Sequence, residues 1–219
     1  MFKQTFYLVN QTFMTQILAV AFAALLFGVF LATSANALPL RPGIIGLLVL
    51  LLSAWMARRY WQGLRADAMP GSAERVLWHS LVGYCLLGGH LATMLYQLGP
   101  DLQIHSLAGH ALAVDSWTLV IACLISFRIA RDPQPRDDER DALIQARGLR
   151  AGHYCLVVLL IGLILLLGFG THSYIARCNQ PMLAHLLILA LVSQCIWQTS
   201  VQLRDYWLET CAERSQASL

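Results

Sequence analysis

Five side chains able to carry a proton or bind a cation are spread over residues 90–185: His90, His110, Asp115, His172 and His185. Imidazole changes charge near neutral pH and is a common metal ligand, and a carboxylate beside it supplies counter-charge. Brought together, these groups can hold Zn²⁺ or a similar ion, or relay a proton. None shows the i, i+4 pairing of a helical zinc motif, so folding alone can make them converge. Haem is a second use, because b-type cytochromes of the membrane ligate iron through His pairs. The pairs available are His79 with His153, and His90 with His185 or His110. Their pattern does not repeat along the chain, and the cofactor stays unassigned. The bland alternatives are solvated histidines at an interface for His110 and His172, and an exposed helix N-cap for Asp115, with Ser116 after it.

The elements that must position these groups are legible from charge. The 219-residue chain is 58% hydrophobic and 12% charged, about half the charge of a soluble domain, so it cannot cover itself for water. No Lys, Arg, Asp or Glu lies between Lys3 and Arg41, or between Arg150 and Arg177. Uncharged runs of ~20 residues match a ~30 Å hydrocarbon layer at 1.5 Å per residue. The same test gives six spans: 14–33, 38–57, 76–97, 107–127, 151–171 and 182–203. Strands do not fit, because apolar and polar residues do not alternate. The expected fold is therefore all-α, a single bundle of six transmembrane helices. Ala35-Asn36-Ala37 resembles a signal cleavage site, yet the apolar core before it is longer than such sites require, so span one is expected to be retained.

Arginine sets the expected orientation. Arg58, Arg59, Arg65 and Arg75 follow span two, and Arg128, Arg131, Arg136, Arg140, Arg147 and Arg150 cluster after span four. The other connections carry Arg41, none and Arg177. The positive-inside rule then puts both termini and both Arg-rich loops in the cytoplasm. The net charge of +3 is explained by topology and implies no nucleic-acid partner. The lipid bilayer is the first partner.

Span exits reading ARRYWQ (57–62) and LRDYWL (203–208) suggest three similar helical hairpins, although Arg, Tyr and Trp belong at a membrane interface in any case. Ala24, Gly28 and Ala32, and likewise Cys85, Gly89 and Thr93, line up small side chains on one helix face. Such faces serve packing inside a bundle; a homo-oligomer contact is the alternative. Gln194, Gln198 and Gln202 form an amide stripe, either glue between helices or the lining of a wet path. The six cysteines include no C-x-x-C pair, and no P-loop, G-x-G-x-x-G, G-x-S-x-G or H-E-x-x-H is present. The reading therefore leans away from an enzyme.

One stretch is densely charged, RDPQPRDDERDALIQARGLR (131–150). Pro133 and Pro135 break any helix there, after which acids precede bases in the order a helix dipole favours. A brief interfacial helix feeding span five is expected. Asp137, Asp138, Glu139 and Asp141 are expected to pair with Arg140, Arg147 and Arg150, or with arginines after span two. Its uses are a docking loop for a partner or a clamp on the entry of span five. Within it, DERDALIQARGLRAGHYCL (138–156) resembles the motif of a family of uncharacterised bacterial integral membrane proteins in which an Asp-Glu-Arg-Asp cluster precedes a span. That resemblance implies a bacterial inner-membrane location and supplies no activity and no catalytic residues.

Two functions are carried forward. The first is a non-enzymatic accessory or regulatory subunit that presents residues 131–150 to a cytosolic or membrane partner. The second is a small transporter or ion or proton pathway using Asp115, His90 and His185.

Overall fold

A computed structural model describes residues 2–34, 37, 39–63, 71–131, 139–169 and 177–216, of which 2–14, 210, 211 and 213–216 are described by backbone alone. The described residues form six α-helices and no strand: α1 (Phe2–Thr33), α2 (Pro42–Gln62), α3 (Ser72–Leu98), α4 (Leu107–Ala130), α5 (Glu139–Phe169) and α6 (Gln180–Gln216). All six are long and apolar enough to cross a membrane. Their outer surfaces agree with a lipid surround, since Val158, Ile164 and Phe169 of α5 stand 67%, 65% and 84% exposed.

Helix ends follow local chemistry. Ser106 caps α4 by accepting the Gly109 N–H at 3.0 Å. Gly99, at φ 78°, ends α3 in a conformation that glycine adopts without strain and donates its N–H to the Leu95 carbonyl. Asn179 accepts the Met182 N–H at 3.0 Å at the start of α6 and donates to Asp101 and the Leu102 carbonyl, tying the α3–α4 connection to α6. All six helices overrun the expected spans at one end or both, most of all where α1 begins at Phe2, α5 begins at Glu139 and α6 continues to Gln216. Hydropathy marks the oil-soluble part only, whereas a helix propagates until a breaker stops it; neither 2–27 nor 182–216 contains Gly or Pro.

The centre of the bundle is α3, which packs against α1, α4 and α6, while α2 lies on α4 and α5 lies on α6. The hairpin pattern therefore applies to α3–α4 and α5–α6. By contrast, α1 and α2 touch only slightly, and each packs on the helix two places further along. Glycine explains the choice of partner. A methyl group at Gly28 would fall on the Leu86 carbonyl of α3, and one at Gly89 would fall on the Leu25 carbonyl of α1. The two small-residue faces read from the sequence are thus each other's partners, with Ala24, Ala32 and Cys85 buried between them. Gly46 admits Leu119 of α4 in the same way, beside a core of Leu31, Leu50, Leu86, Leu87 and Ala122.

Gly89→Val drives a side chain into backbone and is expected to cost ~1–3 kcal/mol, read as a lower Tm of the detergent-solubilised protein. Gly162→Ala, where a Cβ meets open space, leaves Tm unchanged or slightly raised. Equal Tm values for wild type and Gly89→Val would remove the close α1–α3 approach from the account.

Candidate functional site

Because Ser106 starts α4, Asp115 lies in its third turn, about 12 Å along the helix, and is not an N-cap. The residue is 4% exposed. A carboxylate at that depth needs a counter-charge and donors. Both come from the start of α2. The Arg41 Nε lies 3.3 Å from Asp115 Oδ1, and the same oxygen accepts the Gly43 backbone N–H at 3.3 Å. Arg41 is the N-cap of α2 and offers no side-chain cap of its own, and Pro42 has no N–H to satisfy. Asp115 therefore caps a neighbouring helix, at the positive end of its dipole. Gly43 makes this possible, since a Cβ there would stand 2.8 Å from the Asp115 Cα.

On its other side α4 runs antiparallel to α3, with Gly83 facing the Cys123 thiol. Seven residues onward along α3 and seven back along α4, the same register sets His90 level with Ser116. His90 is 0% exposed, and neither of its ring nitrogens has a hydrogen-bond partner among the described residues. The Ser116 hydroxyl is also buried without a partner among them, and Asp115 acts on His90 electrostatically. Unpaired buried polar groups cost ~1–3 kcal/mol each, so two of them in one layer beside an ion pair mark a place where polarity is retained against stability.

The other described candidate groups have different surroundings. His110 is exposed on α4, and the His185 Nδ1 is 2.8 Å from the Pro181 carbonyl one turn back along its own helix. His172 lies outside the described residues. His79 packs edge-on against Trp61 at 5.5 Å, whereas His153 is exposed beside Tyr154. Among the described residues no three His, Cys, Asp or Glu side chains stand close enough to hold a metal ion. Among the described members of the expected group, Asp115 and His90 interact electrostatically, and Arg41 joins Asp115.

The charged stretch finds partners that differ from those expected. From Glu139 onward it is the first part of α5 itself, continuous with the membrane span, and not a separate interfacial helix. Arg140 pairs with Glu209 of α6 at 2.6 Å and stacks over Tyr206, and Arg147 reaches the other Glu209 oxygen at 3.9 Å. Tyr206 donates to Asp141 Oδ1 at 2.6 Å. These residues act as a clamp between α5 and α6. Glu139 and Arg150 remain exposed, and Asp137 and Asp138 lie outside the described residues. Further along the seam, Gln194 donates to Gln198 at 2.9 Å, and Gln202 and Gln198 lie over Gly148 and Gly152 of α5. That is the glue reading of the amide stripe.

Sequence reasoning missed Arg41, Ser116, Tyr206 and Glu209. Arg41 left a signal: it is the one cation of its connection, at the same end of the bundle as Asp115. Ser116 left none. Comparison with protein-family models, curated proteins and solved structures returns no match to this chain.

Asp115→Ala removes both the cap on α2 and the partner of Arg41, and is expected to cost on the order of 1–2 kcal/mol, the upper range for a helix cap. Arg41→Gln costs less than 1 kcal/mol by rough expectation, because the Arg41 side chain is half in solvent. Thermal melts of the two variants in one detergent check the order; the reverse order would mean that the ion pair, and not the cap, holds α2.

Proposed function

We propose that this chain is a small pathway for protons in a bacterial inner membrane, with both termini in the cytoplasm, and that His90 is its carrier. The observation behind this reading is the fully buried His90 ring with no partner on either nitrogen among the described residues, level with Ser116 and under the influence of Asp115. The distribution of arginine supports the orientation, and the likeness of 138–156 to a bacterial membrane family supports the compartment.

The chemistry follows from the charges. At rest Arg41 and Asp115 neutralise each other and His90 is neutral, so the layer carries no net charge. An imidazole takes a proton on one nitrogen and releases one from the other, which moves a proton without moving the ring far. The Ser116 hydroxyl, both donor and acceptor, is the adjacent relay. Asp115 supplies counter-charge to the imidazolium while it lasts, and Arg41 balances Asp115 once the proton has gone.

The accessory reading has less to present than the sequence suggested, because Arg140, Arg147 and Asp141 are engaged by α6.

Vesicles containing the purified protein and a trapped pH dye, polarised by a potassium gradient with valinomycin, should acidify faster than empty vesicles. His90→Gln, which keeps size and polarity but cannot carry a proton, is expected to abolish the difference. Asp115→Asn should reduce it, because the imidazolium then loses its counter-charge. Flux in His90→Gln equal to wild type rejects the proposal.

A further inference from the structure

A second polar feature lies at the opposite, Arg-rich end and on another face of α3. A cavity of about 380 Å³, within the ~300–1,000 Å³ of small-molecule sites, is walled by α3 and α6 and edged by α5 and the end of α4. Its lining includes Tyr84 and Cys195 as well as Arg131 and Asp141. Among the described residues no extensive interface joins α4 to α5 or to α6, and the cavity lies where these helices stand apart, with Arg131 at the end of α4 and Asp141 and Ile144 of α5 in its lining.

Its lining suits a headgroup. Thr199 and Gln202 are each 4% exposed yet line the cavity, with Gln198 and Ser80. The Gln198 carbonyl takes the Gln194 amide, and the Ser80 hydroxyl donates to the Val76 carbonyl at 2.8 Å. That leaves the Gln198 amide nitrogen, the Thr199 hydroxyl and the Ser80 lone pairs without partners among the described residues. Hydroxyls and amides set that deep in a membrane require something polar to meet them. Asp141 is held by Tyr206, which leaves Arg131 as the free charge among the described lining residues, a donor fork suited to phosphate. Alongside, Ala73, Val76, Leu77 and Ile144 supply an apolar wall.

We infer that this cavity is a binding site for one membrane phospholipid, taken in sideways between α4 and α5. Its phosphate lies on Arg131, its polar head on Gln198, Thr199 and Ser80, and its acyl chains remain in the bilayer. The site does not depend on proton movement through His90.

The test uses the full chain reconstituted into vesicles of phosphatidylethanolamine and phosphatidylglycerol, extracted in mild detergent and weighed by native mass spectrometry. Wild type should retain one phospholipid. Thr199→Leu and Arg131→Gln should each lower the retained fraction about tenfold, with Thr199→Val as the milder variant should leucine prevent folding, as judged by helical circular dichroism. Leu52→Ala on the lipid-facing side of α2 should retain it fully, and so should His90→Gln, which separates this outcome from that of the flux assay. Two results overturn the inference: no retained lipid in wild type, or the same retention in Thr199→Val, Arg131→Gln and wild type. Rapid alkylation of Cys195 by a water-soluble maleimide, unaffected by added phospholipid, also overturns it, because the cavity would then hold water alone.

Discussion

Hydrocarbon offers a carboxylate no hydration, and Asp115 is held by what the neighbouring helix supplies: a guanidinium from Arg41 and the Gly43 N–H at the start of α2. Each side of this contact lacks something that the other provides. The first turn of α2 has unsatisfied donors and a positive dipole end, and Asp115 has surplus acceptor capacity in a place without water. Much of the packing around α4 is consistent with this one tie. Gly43 and Gly46 bring α2 down onto α4, Leu119 fills the next layer, and at the far end Arg58 of α2 donates to the Ile129 carbonyl of α4 at 3.1 Å. The two helices thus meet along their length through polar contacts at both ends and small residues between.

The same constraint orders the whole bundle. α3 is the least apolar of the six spans and the most enclosed, whereas α5 is the most apolar and the least enclosed. A helix surrounded by other helices can carry His79, Ser80 and His90 because lipid never meets them; a helix at the rim cannot. At the Arg-rich end α6 provides polar partners for α5, through Glu209, Tyr206 and the glutamine stripe. Beyond that clamp the side chains of α5 are almost wholly apolar.

What could be read from the sequence followed from the length of uncharged runs. Such runs fix that helices cross the bilayer, because length against thickness is a one-dimensional test, and all six spans were found this way. They do not fix which helix touches which. That depends on where glycines coincide across an interface, and Gly28 and Gly89 are 61 residues apart in the chain. The Asp115 site was half legible for the same reason. An acid inside an uncharged span announces itself, and Arg41 stands out in its connection. Ser116 is one unremarkable serine among many until the α3–α4 register sets it level with His90. The charged stretch misled in one respect: its own acids and bases looked sufficient for one another, yet Glu209 and Tyr206, about 65 residues further on, were better placed.

The separation of α1 from α2 also bears on how the protein is made. Helices enter the bilayer in chain order, and a pair that packs together can settle as soon as both are in. α1 has no such neighbour, for its glycine face fits only α3, which emerges after α2 and its connection. During synthesis, then, α1 and α2 stand in the membrane as loose, separate rods, and the arrival of α3 and α4 gathers both of them at once.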